Sequence, residues 1–561
     1  MLSHALRALR FARETKKPSL PQWLIAVLLA AWAVGCASLP ANVQRTPSQA
    51  FDAPDQTALG QLVAQKRVQD KSRADSGFVL LDTVDAAYAA RLTLIRAAQH
   101  TVDMQYYAIH ADSSTELLLE ALREAAHRGV RIRVLLDDFN TVGKDAQVLR
   151  LAFEPNVQIR LFNPLPGARD SLIGHIAGSL HDTDRISKRM HNKLFVVDNA
   201  IGITGGRNLG DAYFGADGKS NFVDLDVLAG GRVVRDMSAS FDRYWNNELS
   251  YPMQSLVAPG DLEKLRKPAD PEQEGAKPSA LPAAAAAQPK PGMVLPNVEP
   301  RDVARNDRGN LDLRALRFTW APSMLLSDKP GKIGPDDDEV NAGDTVIDGL
   351  LQVMGTARQD VLIVSPYFVP GPQMMERFRQ LKQRGVRVRV LTNSLASNDA
   401  PAAHAGYARY RKDLLAAGVE LHEMRAAQGV SGFAAESNAG LGSAGGGSKN
   451  GAPHASLHSK AMIIDGHLSV IGSMNLDLRS QTKNSEVGLL IRSGTFAKAC
   501  LERIDDMINR GSYRLERHGE GFAWKAPQGA NFKDATSEPE ASAKQKFMAG
   551  AIAPFAPDSM L

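Results

Sequence analysis

The segment MHNKLFVVD, residues 190–198, returns as LHSKAMIID at residues 457–465. Both copies place a histidine and a lysine two positions apart, then four apolar residues and an aspartate. A short apolar run of this kind predicts a buried strand, on which side chains two positions apart share one face. Each histidine and its lysine are therefore expected to point the same way. The pairs are His191 with Lys193 and His458 with Lys460.

An aspartate closes each copy, seven positions after the histidine: Asp198 in the first and Asp465 in the second. An odd spacing places it on the opposite face of a regular strand from the histidine. We include both aspartates in the candidate catalytic set with the histidines and lysines. Their expected part is to support the strand rather than to attack a substrate.

The repetition extends beyond this motif. RGVRIRVLLDD at residues 128–138 returns as RGVRVRVLTNS at residues 384–394. Each follows a helix-like run, which itself follows a strand-like run, so the chain predicts a β–α–β unit twice. Two copies of one α/β unit would form a pseudo-dimer within a single chain.

Further polar residues recur in phase with the histidines. Asn208 lies 17 positions after the first histidine, and Asn475 lies 17 after the second. Each copy also offers an acid before another apolar strand, Asp224 in the first and Glu486 in the second. Such an acid could orient a histidine ring through its second nitrogen. A single His-x-Lys pair is typical of a surface, but its duplication with matched asparagines and acids favours a catalytic site.

The pattern His-x-Lys-x4-Asp followed by Gly-x-x-Asn, present twice, resembles the phospholipase D superfamily from about residue 78 to residue 515. Within that superfamily the chain is similar to the cardiolipin synthase C-type proteins. The additional stretches that carry this similarity are DMQYYAIHAD, GGRNLGDAYF, FVDLDVL, FDRYWNN and NSEVGLLI.

The resemblance implies two tandem α/β domains whose motifs meet in one shared active site. Family precedent assigns His191 as the nucleophile that forms a phosphohistidine and His458 as the general acid and base. The residues alone leave the order of the two histidines open. The lysines and asparagines would stabilise the phosphoryl oxygens, so no metal or other cofactor is expected.

The amino terminus predicts export and anchoring. A basic start precedes the apolar run WLIAVLLAAWAVG at residues 23–35, which is short for a membrane span but suits a signal peptide. Small residues before Cys36 resemble a bacterial lipoprotein box, which predicts lipidation of this cysteine. An ordinary cleaved signal or a short uncleaved anchor is the alternative. Removal of residues 1–35 would leave a neutral chain, with no overall basic footprint for nucleic acid.

Location suggests the substrate. An enzyme held at a bacterial membrane, facing the periplasm or the cell exterior, meets phospholipids at high local concentration. We expect transfer between phosphatidylglycerol and a second phosphatidylglycerol or phosphatidylethanolamine, giving cardiolipin. The choice between inner and outer membrane stays open. The alternatives are a phospholipase D that releases phosphatidic acid, a nuclease, and a membrane-tethered scaffold with a degenerate site.

Composition also predicts the domain limits. The expected organisation is a signal peptide (1–35), a polar lead-in (36–77), a first domain (78–260), a Pro/Ala-rich linker (261–310), a second domain (311–520) and a tail (521–561). A Gly/Ser/Ala-rich loop is expected at residues 430–452, and a poorly ordered tail beyond about residue 530. Cys500 recurs with apolar residues at helical spacing, which predicts a buried structural thiol.

Overall fold

The computed structural model describes residues 39–141, 143–166, 182–217, 220–257, 311–334, 345–426 and 454–552. The predicted signal peptide with Cys36, the linker at 261–310 and the loop at 430–452 lie outside these ranges. Across the described ranges, no helix combines the length and apolar character needed to cross a bilayer.

The first half of the chain alternates strands and helices. Its helices are α1 (Ala58–Gln69), α2 (Val84–Ala97), α3 (Ser113–His127), α4 (Thr183–Ser187) and α5 (Arg232–Trp245). Its strands are β1 (Ser76–Leu81), β2 (Thr101–Tyr106), β3 (Arg131–Asp137), β4 (Val157–Phe162), β5 (Arg189–Met190), β6 (Leu194–Val197), β7 (Ile201–Gly205), β8 (Ser220–Val223), β9 (Asp226–Gly231), β10 (Ser250–Pro252) and β11 (Thr319–Trp320).

The second half follows the same plan. Its helices are α6 (Val346–Gly355), α7 (Gly371–Gln383), α8 (Pro401–Ala416), α9 (Leu478–Thr482), α10 (Gly494–Gly511) and α11 (Ala543–Ile552). Its strands are β12 (Ser323–Ser327), β13 (Asp360–Val364), β14 (Phe368–Val369), β15 (Arg387–Asn393), β16 (Val419–Met424), β17 (His454–Leu457), β18 (Ala461–Ile464), β19 (Leu468–Gly472), β20 (Leu476–Asp477), β21 (Asn484–Ser485), β22 (Val487–Arg492), β23 (Ser512–His518) and β24 (Gly521–Lys525).

Each half builds a nine-stranded mixed sheet. The first sheet has the order β10-β4-β3-β2-β6-β7-β9-β1-β11, and the second has the order β12-β22-β19-β18-β13-β15-β16-β23-β24. Reading the second order backwards, β16-β15-β13-β18-β19-β22-β12 matches β4-β3-β2-β6-β7-β9-β1 of the first strand for strand. The prediction of two tandem α/β domains is confirmed.

The β–α–β units form as the repeated Arg-Gly-Val segments predict. β2 pairs in parallel with β3, and β13 pairs in parallel with β15. The glycines of the two segments, Gly129 and Gly385, follow helices α3 and α7 and have φ values of 95° and 74°. This left-handed conformation suits glycine and ends a helix, so the chain turns directly into the next strand.

The predicted domain limits need two corrections. β11, within the expected second domain, pairs with β1 and so belongs to the first sheet. β24, within the expected tail, pairs with β23 and extends the second sheet. The tail is also more ordered than expected, because Trp524 and Ala535 exchange backbone hydrogen bonds and α11 follows. Backbone pairing sets these limits, and composition does not report pairing.

The two domains share one apolar core. Buried residues of the first domain, such as Leu194 and Phe241, belong to the same cluster as Ile463 and Leu489 of the second. Cys500 lies in this shared cluster on α10 and is fully buried, as its helical spacing predicts. Because burial of apolar surface is the main favourable term in folding, this core holds the two domains against each other.

Two short ladders also cross between the domains. β5 of the first domain pairs in parallel with β21 of the second, and β8 pairs in parallel with β17. β5 and β17 precede the first and second histidines, while β8 and β21 precede the acids. These ladders therefore bring each histidine segment beside the acid segment of the other domain.

Candidate active site

His191 follows β5 and lies at the crossing between the domains. Its backbone N–H donates to the carbonyl of Ser485 at 2.9 Å. Its ring nitrogen Nδ1 lies 2.9 Å and 3.1 Å from the two carboxylate oxygens of Glu486. The acid that orients the first histidine therefore comes from the second domain.

His458 follows β17 and repeats this arrangement with the domains exchanged. Its backbone N–H donates to the carbonyl of Val223 at 2.9 Å. Its Nδ1 lies 2.7 Å from Oδ2 of Asp224, a residue of the first domain. Sequence spacing proposed both acids as orienting groups but did not say which histidine each one contacts. In the structure each acid contacts the histidine of the other copy.

The two lysines occupy matching places. Lys193 Nζ donates to the carbonyl of His191 at 2.8 Å, and Lys460 Nζ donates to the carbonyl of His458 at 2.5 Å. Burial lowers the pKa of Lys193 to about 7 and that of Lys460 to about 8, while Glu486 and Asp224 act to raise them. An anionic phosphodiester would favour the charged form of both lysines.

The state of the histidines follows from their surroundings. Burial lowers the pKa of His191 to about 4 and that of His458 to about 3. Burial alone would raise the pKa of Glu486 and of Asp224, but their contacts with the histidines and lysines lower both. Near neutral pH each ring is therefore neutral and each carboxylate ionised. An ionised carboxylate only accepts, so Nδ1 carries the proton and Nε2 keeps a free lone pair.

The two asparagines differ in their contacts. Asn208 Nδ2 donates to the hydroxyl of Tyr213 at 2.9 Å, and its Oδ1 accepts from the backbone N–H of Ala108 at 3.3 Å. Asn475 is also buried, but its Oδ1 has no hydrogen-bond partner among the described residues. Both lie after the strands that follow the lysines, β7 and β19, as their spacing of 17 from the histidines suggested.

The two motif aspartates contact backbone groups and not the histidine rings. Asp198 accepts hydrogen bonds from the backbone N–H groups of Gln99, His100 and Thr101, and Asp465 accepts from those of residues 358–360. They stand at the far ends of β6 and β18 from the lysines. These contacts are structural, which is the part that their odd spacing from the histidines suggested. Each carboxylate ties its own strand to the start of the neighbouring one, β2 or β13.

Glu486 is held by hydroxyl groups of its own domain. Ser473 Oγ donates to Glu486 Oε2 at 2.5 Å, and Ser480 Oγ donates to Oε1 at 3.0 Å. The backbone N–H of Glu486 donates to Asp328 at 2.9 Å, and Asp328 is itself paired with Lys332. These contacts place the carboxylate opposite the imidazole of the first domain.

Asp224 is held in another way. The position that matches Ser473 in the repeat is Gly206, where an added Cβ would overlap the carboxylate of Asp224. Arg207 donates to the backbone carbonyl of Asp224 at 2.7 Å and lies 3.4 Å from Asp226. Glycine makes the room for this shorter acid, and a buried arginine holds its backbone.

Aromatic residues that the sequence analysis did not single out border both histidines. The ring of Tyr107 lies edge-on to His191 with centroids 5.3 Å apart. Tyr213 and Phe222 lie 5.3 Å and 4.8 Å from the ring of His458. Tyr107 follows β2 in QYYAI and Tyr367 follows β13 in SPYFV, so the repeat itself carried a signal for this pair.

The partners of these two tyrosines differ. The Tyr367 hydroxyl donates to Asp399, with its two carboxylate oxygens at 2.9 Å and 3.0 Å. The ring of Tyr107 instead has Nζ of Lys193 5.8 Å from its centroid. Burial raises the pKa of Tyr107 to about 12 and also raises that of Tyr367. Both hydroxyls therefore stay protonated near neutral pH.

Within the part of the chain that the structure describes, no group of His, Cys, Asp and Glu side chains is arranged to hold a metal ion. The chemistry available is that of two imidazoles, two lysine amino groups and two amides, and the lysines and asparagines are buried. Such a set can attack a phosphodiester, donate a proton to a leaving oxygen and stabilise anionic oxygens.

Comparison with known proteins finds relatives for both halves of the chain. A family model described as cardiolipin synthase, PLD-like domain, matches residues 92–245 and again residues 350–508. Cardiolipin synthase C of Escherichia coli (strain K12) is 38% identical over 79% of this chain and 87% of that protein. Cardiolipin synthase A of Serratia proteamaculans (strain 568) is 24% identical over 77% of this chain and 69% of that protein.

A solved structure shares the fold. Phosphatidylserine synthase from Haemophilus influenzae Rd KW20 aligns with a TM-score of 0.51 and 13% identity, over 82% of this chain and 93% of that one. The family model covers one PLD-like domain in each half, and each match includes one histidine and its lysine. The chain therefore belongs to the PLD-like family of cardiolipin synthases, and it is a phosphatidyltransferase of the phospholipase D type.

Proposed function

We propose that this protein is a membrane-anchored enzyme that makes cardiolipin by transphosphatidylation through a phosphohistidine. One observation carries the proposal: two His-Lys pairs from different domains meet, and each ring is oriented by a carboxylate of the opposite domain. The names of the relatives, cardiolipin synthases, support this choice of product. Phosphatidylglycerol and phosphatidylethanolamine are the proposed lipids.

The first half-reaction forms the covalent intermediate. Nε2 of His191 attacks the phosphorus of the donor phospholipid, and the bond from phosphorus to the head-group oxygen breaks. His458 gives its Nε2 proton to that oxygen, so the head group leaves as an alcohol. Asp224 stabilises the protonated ring of His458. The negative charge of the bound phosphodiester raises the pKa of His458, which lets a ring that is neutral in the free enzyme act as an acid.

The second half-reaction returns the enzyme to its starting state. His458, now neutral, takes the proton of an incoming alcohol as the alcohol oxygen attacks phosphorus. The phosphorus–nitrogen bond to His191 breaks, and the phosphatidyl group passes to the new oxygen. A hydroxyl of phosphatidylglycerol as acceptor gives cardiolipin, whereas water as acceptor gives phosphatidic acid.

Lys193 and Lys460 stabilise the phosphoryl oxygens during both steps. Both lysines are buried, and a buried charge acts more strongly than one in water. Asn208 and Asn475 add amide N–H donors on the two sides of the cleft. Lipidation at Cys36 would supply the anchor that keeps this cleft at the bilayer.

The test is lipid analysis of a cardiolipin-free bacterial host that expresses the full chain. We expect cardiolipin to appear with the unchanged protein and to be absent with His191→Asn, expressed at the same level as the control. Phosphatidic acid is measured in parallel. Phosphatidic acid without cardiolipin would instead identify a hydrolase. The absence of both products would contradict the proposed phosphatidyltransferase.

A further inference from the structure

The carboxy-terminal segment is fixed to the second domain. Glu538 forms an ion pair with the buried Arg411 of α8, which also contacts Glu423. Two residues later, Glu540 pairs with Arg425 and accepts the backbone N–H of Ala426 at 3.0 Å. The segment that leads to α11 is therefore held at a defined place on the surface.

α11 presents an apolar pair to solvent. Gln545, Ala549 and Ile552, at positions i, i+4 and i+7, are its less exposed residues and face α8. Phe547 lies on the opposite face and is 76% exposed, and the adjacent Met548 is 37% exposed. The two neighbouring side chains therefore give this helix a small apolar patch on its solvent side.

The charge of α11 has a single sign. Lys544 and Lys546 both precede Phe547 within one helical turn, and the sequence AKQKFMAGAI contains no acidic residue. Both lysines are exposed. An apolar side chain beside two lysines suits the surface of a bilayer that contains anionic phospholipid. The lysines can contact the anionic head groups while the apolar side chain enters the acyl chains.

α11 also contacts a loop that reaches the site. Gln545 Nε2 donates to the carbonyl of Leu395 at 3.5 Å, in the loop that links β15 to α8. The same loop carries the exposed Asp399, which accepts the hydroxyl of Tyr367. Ser365, two residues before Tyr367, accepts the backbone N–H of Leu476 through its Oγ at 3.0 Å. Leu476 directly follows Asn475, so the tyrosine segment is linked to the second site asparagine. The loop that α11 contacts therefore carries a carboxylate, Asp399, whose charge acts on Lys460 of the site.

We propose that α11 is a membrane-contact helix, which inserts Phe547 and Met548 into an anionic bilayer and sets the mouth of the site against the lipid. This role adds a membrane contact to the proposed function. Only the activity measurement below rests on the proposed function; the test of membrane contact does not. The contact differs from anchoring at Cys36, because a lipid anchor holds the protein near a membrane without orienting the cleft.

The contact is tested with a fluorescent probe on the full chain. Phe547→Cys is labelled with an environment-sensitive fluorophore, and Val68→Cys on α1 is the matched control, because Val68 is also 76% exposed. The parent chain labelled in the same way provides the background. Vesicles contain phosphatidylglycerol and phosphatidylcholine, or phosphatidylcholine alone, with brominated acyl chains as quenchers.

We expect a blue shift and quenching at position 547 with the anionic vesicles and neither at position 68. Replacing Lys544 and Lys546 by glutamine should weaken the response about tenfold on anionic vesicles. An unchanged probe at position 547 would overturn the proposal. So would a shift without vesicles that grows with protein concentration, because a second copy of the chain would then cover the helix.

Activity separates this inference from the proposed function. Phe547→Asp should lower transfer from vesicle lipid about tenfold and leave cleavage of a monomeric short-chain phospholipid unchanged, while Val68→Asp should alter neither. Equal losses on both substrates would overturn the contact role, since the helix would then support the site itself. If the unchanged enzyme cleaves neither substrate, the proposed function fails and the probe result still decides the membrane contact.

Discussion

Glu486 and Asp224 make the same contact with a histidine ring, but the groups that hold them differ between the two halves of the site. Glu486 accepts two serine hydroxyls, and its backbone is bound to Asp328. Asp224 fits against Gly206, and its backbone carbonyl accepts from Arg207. The two copies therefore share the contact between carboxylate and imidazole but differ in the groups that hold the carboxylate.

The buried charge behind each acid also differs. On the Asp224 side, Arg91 and Arg207 both pair with Asp226, which is fully buried. The matching position in the second domain is Gly488, where an added Cβ would meet the sulfur of Met474 at 3.4 Å. Both halves therefore contain buried ion pairs, and on the Asp224 side two arginines share one aspartate. On the Glu486 side the buried pair is Asp328 with Lys332, and hydroxyl donors and apolar packing accompany it. The histidine and lysine geometry is what the two halves share.

The largest expected effects separate the two histidines. His191→Asn should abolish the phosphoenzyme and lower activity by about 10⁴-fold or more, because a nucleophile has no substitute. His458→Asn should lower turnover by about 10²–10⁴-fold, the usual contribution of general acid–base catalysis. With a good leaving group it should still accumulate phosphoenzyme, which rapid acid-free quenching and mass spectrometry detect. Full activity in either variant would contradict a single shared site.

The next largest loss of activity is expected from the two acids, each of which contacts the histidine of the other domain. Glu486→Gln should impair phosphoenzyme formation at His191, although it lies in the other domain, and Asp224→Asn should impair proton transfer by His458. Losses of about 10²–10⁴-fold are expected, the upper value matching loss of the orienting acid in a Ser-His-Asp triad.

Double-mutant cycles check this exchange. Glu486 should couple energetically with His191 and not with His458, and Asp224 should show the reverse. Coupling within each domain instead of across the two would show that the observed pairing is not the functional one.

A third, smaller effect concerns the support of the acids. Ser473→Gly removes one hydrogen bond to Glu486 and should lower activity about tenfold, since a hydrogen bond to a charged group contributes about 1.5 kcal/mol. Gly206→Ser should cost more, because the new Cβ overlaps the carboxylate of Asp224. Steady-state kinetics measure both, with thermal unfolding as the control for folding. Unchanged activity in Gly206→Ser would show that Asp224 can shift its position without lowering the rate.

The smallest expected effect is on pH dependence. In the free enzyme kcat/KM should fall as pH rises through about 7 to 8, because Lys193 and Lys460 then lose their charge. Asp399 acts to raise the pKa of Lys460. Asp399→Asn should therefore move this alkaline limb to lower pH by less than one unit. Asp534→Asn, at a surface pair with Lys525, is the control and should leave the limb in place.

Much of the fold was predictable because it rests on local patterns. The apolar residues after each lysine form β6 and β18, and each Arg-Gly-Val segment leads from a helix into a strand. The reach of the first domain was not predictable in this way. β11 joins the first sheet from a segment that follows the linker, through pairing with a strand more than 200 residues earlier.

The candidate site shows the same division. The duplication identified the histidines, lysines, asparagines and acids by residue type and phase. It did not identify Tyr213 or Phe222, because neither has a counterpart of the same type in the second copy. The odd spacing of Asp198 and Asp465 indicated a face away from the histidines, and their backbone contacts agree with it.

By itself the sequence determined that this protein contains two α/β units with one set of candidate catalytic groups each, because strand period, helix ends and repetition are properties of neighbouring residues. Only the tertiary structure decided that each histidine takes its carboxylate from the opposite unit. That choice depends on the two crossing ladders and on the apolar core that the domains share. Residues almost 300 positions apart, such as His191 and Glu486, meet there because burial of apolar surface draws the two domains together.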